Sequence, residues 1–124
     1  MKQFFIIFTT LILISTGVMA AEEKKKAGPE IMTLSGTIID NLCAKAHKAD
    51  IEKFITAHTK ECALEPQCAA SGYSLYHYGA LITFDGPSNK KIEEFLKQKD
   101  SRLTVIVEVR KTGDRYSLVS IKNK

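Results

Sequence analysis

The sequence predicts a mainly β, α+β domain shaped as a small five-stranded, OB-like barrel. Three observations carry this. Five segments have strand character, and the run LTVIVEVR alternates apolar and polar residues almost without exception. A helical pattern is inserted after the first strand, and a short amphipathic helix precedes the last two. The first strand carries an interior glycine, Gly36, where a bulge or bend is expected.

The chain has 124 residues and opens MKQFFIIFTTLILISTGVMA. Lys2, an apolar run from Phe4 to Ile14 and small residues ending at Ala20 form the pattern of a secretory signal peptide, residues 1–20. That run is shorter than the roughly 20 apolar residues a membrane span needs, and no second candidate follows. Residues 21–30, with Lys24, Lys25, Lys26, Gly28 and Pro29, read as a flexible charged leader. The expected product is an exported protein, periplasmic or extracellular, with no membrane span and one domain over 31–124. Its formal charge of +4 includes Lys2 and the leader lysines, so the domain itself is nearly balanced and no nucleic-acid partner is expected.

Within the domain, MTLSGTIID is the first strand. From Leu42 to Ala63 the pattern is helical, with Ile51, Phe54, Ile55, His58 and Cys62 at spacings of three and four behind Asp50 as N-cap. Pro66 ends that helix and opens a further short turn, closed by Gly72. YSLY and ALITF flank HYG as a hairpin, and DGPSN leads into a helix with Ile92, Phe95 and Leu96 on one side. In LTVIVEVR, Leu103, Val105, Val107 and Val109 face one way, with Ile106 the exception; KTGDR turns the chain, and YSLVSI is the last strand.

The stretches GTIIDNLCA, HTKECALEPQCAASGY, LITFDGPSNKKIEEFL and VIVEVRKTGDRYSLVSI together resemble a family of small exported bacterial proteins of unassigned function. That family carries D-x-x-C-A, then H-T-x-x-C-A-L-x-P-x-C-x-x-S-G-Y, then F-D. The resemblance spans nearly the whole of the predicted mature chain and implies the fold and the export, not an activity. Where the family often has Met before the proline this chain has Glu65, so a thioether ligand is not available there.

The residues able to do chemistry are Cys43, His47, His58, Cys62, Cys68 and His77. Cys43 with His47, and His58 with Cys62, are i, i+4 pairs that share a helix face. A straight helix would hold His47 and His58 about 16 Å apart along its axis, so the segment must bend near Lys48-Ala49-Asp50 for the pairs to share an ion. Cys68, beyond the Pro66 break, can fold back towards His58 and Cys62. The ligand set is thus His58, Cys62 and Cys68 with Cys43 as fourth, a Cys/His cluster suited to zinc or copper(I).

A rival reading pairs two of the three cysteines in a disulfide, Cys62 with Cys68 or Cys43 with Cys68, and makes the protein a stapled interaction domain whose partner is a protein or glycan on the barrel face. On either reading a domain this small gains from the staple. His47, between Lys45 and Lys48, is expected in solvent, and His77 exposed at the hairpin tip. Tyr73, Tyr76 and Tyr78 are expected to pack across strands. No C-x-x-C, phosphate loop or H-E-x-x-H occurs and no oxyanion site is recognisable, so the protein reads as a non-enzyme with no catalytic residues.

Overall fold

A computed structural model describes residues 29–124. The predicted signal peptide and all but the last two residues of the leader lie outside the described residues. In chain order the elements are β1 (Ile31–Asp40), α1 (Asn41–Ala46), α2 (Ile51–Ala57), α3 (Lys60–Ala63), α4 (Pro66–Ala70), β2 (Tyr73–His77), β3 (Ala80–Thr83), α5 (Gly86–Leu96), β4 (Thr104–Thr112) and β5 (Arg115–Asn123).

The strands form one antiparallel sheet in the order β3-β2-β1-β4-β5. Central β1 changes partner along its length. Ile31 to Thr37 pair with β4, and Thr37 to Asp40 pair with β2. Gly36 marks this hand-over, and a Cβ there would stand 2.2 Å from the Tyr76 carbonyl oxygen, so close approach of two backbones explains the glycine. The ladder irregularity falls instead in β4, between Glu108 and Val109.

The outer strands β3 and β5 approach each other at a single parallel bridge, Phe84 to Tyr116, beside an Asp85 N–H that donates to the Tyr116 carbonyl at 2.9 Å. No ladder closes the sheet there. The architecture is thus mainly β, an α+β domain with one unclosed five-stranded sheet.

The alternation read in β4 holds. Val105, Val107 and Val109 are buried, Thr104, Glu108 and Arg110 are exposed, and Ile106 is intermediate. Leu75, Phe84 and Leu118 join them in the core, covered by Ile92 and Leu96 of α5. Asp85 caps α5 by accepting from the Ser88 N–H at 3.0 Å. The HYG hairpin turns on Tyr78 and Gly79, with φ of 45° and 87°, a two-residue turn with both φ positive that matches the twist of its strands.

The insertion after β1 is not one bent helix but three short ones before α4. α1 ends at Ala46, and the expected bend lies at residues 47–50. α2 stops at Ala57, because His58 is extended (φ −68°, ψ 132°) and Thr59 starts α3 as its N-cap, its Oγ1 accepting from the Cys62 N–H at 3.2 Å. Pro66 opens α4 at its first turn and Gly72, at φ 80°, follows its end, as the sequence predicts. No helix of the described residues is long and apolar enough to cross a membrane.

Candidate metal centre

Three elements converge on Asp40. It is the last residue of β1 and the N-cap of α1, and it is fully buried. One carboxylate oxygen, Oδ1, accepts the Cys43 N–H at 2.8 Å. The other, Oδ2, accepts from His58 Nε2 at 3.0 Å, with neither side chain exposed. His58 is brought there by the extended break between α2 and α3, where Phe54 of α2 packs tilted against its ring at 5.3 Å. His58 Nδ1 is buried without a hydrogen-bond partner.

A carboxylate oxygen of Asp40, Cys43 Sγ and a nitrogen of His58 all lie within 4.8 Å of one another. Cys68, buried on α4, adjoins the Asp40 and Cys43 side of this group. Tyr73, paired with Asp40 across β1 and β2, lies beneath it, and its hydroxyl donates to the Ala63 carbonyl at 2.8 Å.

The electrostatics follow from burial and neighbours. Burial alone would raise the Asp40 carboxyl, but the hydrogen bonds from His58 and from the Cys43 backbone outweigh it and hold it below its ordinary value. The Cys43 thiol is pushed up to about 12 by burial and then by the Asp40 carboxylate. Burial, followed by the same carboxylate, raises Cys68 as well. A buried anion beside two neutral thiols is poor equipment for nucleophilic catalysis, which needs a thiolate. A cation entering the group would reverse the balance, displacing the thiol protons and neutralising the carboxylate.

Of the residues the sequence singled out, the structure brings together Cys43 and His58, with Cys68 alongside. Cys62 is exposed on α3 and stands outside the group. All three cysteines are free, so neither expected disulfide is present. His47, expected in solvent, is half exposed, because it stacks flat on Phe54 at 3.7 Å and meets Asp50 at 3.3 Å. His77 is only half exposed, because its Nδ1–H donates to the Ser35 carbonyl at 2.6 Å. Sequence reasoning missed Asp40. Its signal was the D-x-x-C spacing itself, since an N-cap aspartate reaches the backbone N–H three residues on, where Cys43 stands.

Compared with family models, curated proteins and solved structures, the chain has no match.

Proposed function

We propose that the protein is a small exported binding module that holds a zinc or copper(I) ion through Asp40, Cys43 and His58, with Cys68 as the adjoining fourth donor. One observation carries this reading: three potential ligand atoms of different chemistry converge within 4.8 Å around a buried carboxylate. Among the described residues no Lys or Arg pairs with Asp40, whose side-chain partner is the His58 ring. Imidazole nitrogen, carboxylate oxygen and thiolates are a donor set zinc accepts in tetrahedral geometry, and the two thiols suit copper(I). The OB-like reading of the sheet is supported by the strand order and by the β3–β5 bridge at Phe84 and Tyr116. The apolar run after Lys2 supports export.

The test is titration of zinc and of copper(I) into the reduced protein, with Cys43→Ser, His58→Ala and Cys62→Ser beside it. One ion per chain is expected for the parent and for Cys62→Ser, with affinity lost by orders of magnitude in the other two. Cys43→Ser changes a single atom, so a folded Cys43→Ser protein that binds as the parent does removes the thiol from the site. Absence of saturable binding to the reduced parent ends the metal reading.

A second reading, an interaction domain for a protein or glycan, has its own observation. A groove of ≈ 430 Å³ crosses β1 and β2, lined by Thr37, Glu52, Tyr76 and Tyr78 among others. Tyr78 stands 85% exposed at its rim and holds a positive φ of 45°. Tyr78→Asn suits that backbone better, so it should stabilise the hairpin while abolishing any binding the groove performs.

A further inference from the structure

Cys43 and Cys68 meet where α1 packs against α4. The first turn of α1 is tied to the last turn of α4 by a continuous set of hydrogen bonds. The Asn41 N–H donates to the Gly72 carbonyl at 2.9 Å, and its side-chain amide donates to the Ser71 carbonyl at 3.0 Å. The Leu42 N–H donates to Ser71 Oγ at 3.0 Å, and that hydroxyl donates to the Cys68 carbonyl at 2.6 Å. The two helices are thereby held in fixed register, and the thiols they carry lie against each other and against Asp40. Cys62, by contrast, points to solvent from α3.

We propose that Cys43 and Cys68 are a dithiol that closes to a disulfide when the Asp40, Cys43 and His58 group is empty, so that oxidation and metal binding exclude each other. The exclusion rests on the metal reading above; the closure does not. The chemistry is two successive thiol–disulfide exchanges with a small-molecule disulfide as oxidant. Cys43 is the more accessible of the two, since Cys68 is only 6% exposed. The Cys43 sulfur, losing its proton, attacks one sulfur of the oxidant; the oxidant's S–S bond breaks, and one thiol leaves with that proton. The Cys68 sulfur then attacks Cys43 Sγ, the mixed disulfide breaks, and the second thiol leaves with the Cys68 proton. The pair has lost two hydrogens and the oxidant has gained them.

A bound ion would hold both sulfurs as ligands, leaving neither free to attack.

The experiment uses reduced, chelator-treated protein incubated with oxidised glutathione, then alkylated and peptide-mapped. The expected product has lost two hydrogens through a Cys43–Cys68 bridge, with Cys62 either alkylated or carrying glutathione. Cys62→Ser should still close, and Cys68→Ser should stop at a glutathione adduct on Cys43. A bridge that includes Cys62, or adducts on the separate thiols with no bridge, overturns the dithiol. The same incubation after loading with zinc, binding being measured separately by calorimetry, should lose the bridge. Equal closure with zinc bound overturns the exclusion. If zinc does not bind, the loading is repeated with copper(I); failure of both ions to bind overturns the metal reading and the exclusion with it, while the metal-free incubation still decides the dithiol.

Discussion

Asp40 and His58, 18 positions apart in the sequence, meet at 3.0 Å with both side chains buried from solvent. The contact fixes the end of β1 against the break between α2 and α3, and so brings Asp40, Cys43 and His58 together. Removing one partner leaves the other buried and unsatisfied, which costs about 1 to 3 kcal/mol. Asp40→Ala and His58→Ala should each lower the unfolding free energy in urea by at least that much. The double variant should lose less than the sum, because each single change already forfeits the shared bond. Strict additivity would show that the two side chains do not stabilise the fold through each other.

Gly36→Ala should destabilise by about 1 to 3 kcal/mol, the cost of forcing atoms into a packed site. Its Cβ would stand 2.2 Å from a backbone oxygen of β2, which cannot rotate away as a side chain can. Gly86→Ala is the control: apart from its chain neighbours nothing lies within 4 Å of its Cβ, its φ is not positive, and it begins α5 just before Pro87. The loss of unfolded-state freedom on gaining a Cβ there offsets the crowding by Pro87, so the change should stay within about 1 kcal/mol of the parent. Thermal midpoints of the two variants should therefore move apart, and a Gly36→Ala protein melting with the parent would refute the close approach.

The sheet and the candidate site differ in how far the sequence revealed them, because they rest on contacts of different range. Period-two alternation decides which face of β4 is buried, so Val105, Val107 and Val109 could be placed without a structure. Pro66 and Gly72 bracket α4 through their own backbone preferences, which are local too. His58 shows the opposite case. Spacing put it on one helical face with Cys62, but the Thr59 cap ends that helix and the ring turns to Asp40 on another element. Thr59 lacks the glutamate three residues later that completes a capping box, Cys62 being there instead, so the break was hard to see. Asp40 was overlooked because its burial depends on His58, a partner no local period reveals.

Lys60 ties α3 to the far end of α5. Its Nζ donates to the carbonyls of Gln98, Lys99 and Ser101 at 3.1, 3.2 and 3.0 Å and contacts Ser101 Oγ at 3.2 Å. An ammonium there gathers the carbonyls of the turn that follows Leu96, the last residue of α5, and holds that turn against α3. Lys60→Met keeps the aliphatic stem and loses the charge, so it should cost about 1.5 to 3 kcal/mol, the range for hydrogen bonds to a charged group. Amide exchange at residues 97–101 should quicken in the same variant. Unchanged stability and exchange would mean that the ammonium is as well served by water.

Asp85 sets an acid limit on stability away from the cysteines. It caps α5 through the Ser88 N–H at 3.0 Å and accepts a hydrogen bond from the Ser117 hydroxyl on β5. Burial tends to raise this carboxyl, but the bonds from Ser117 and Ser88 prevail, and its folded value lies below the ordinary 3.8. The unfolded chain therefore takes up the proton first as pH falls. The stabilisation from Asp85 is complete above the unfolded value and disappears as pH drops through the folded one. Asp40 is shifted the same way and adds to the effect. Asparagine is an equally good cap, so Asp85→Asn removes the charge while leaving the helix start intact. Urea unfolding at pH 7 should show Asp85→Asn less stable than the parent, and the gap should close as pH falls below about 4. A gap that stays constant from neutral to acid pH would show that the charge of Asp85 contributes nothing, leaving its shape alone to hold α5 against β5.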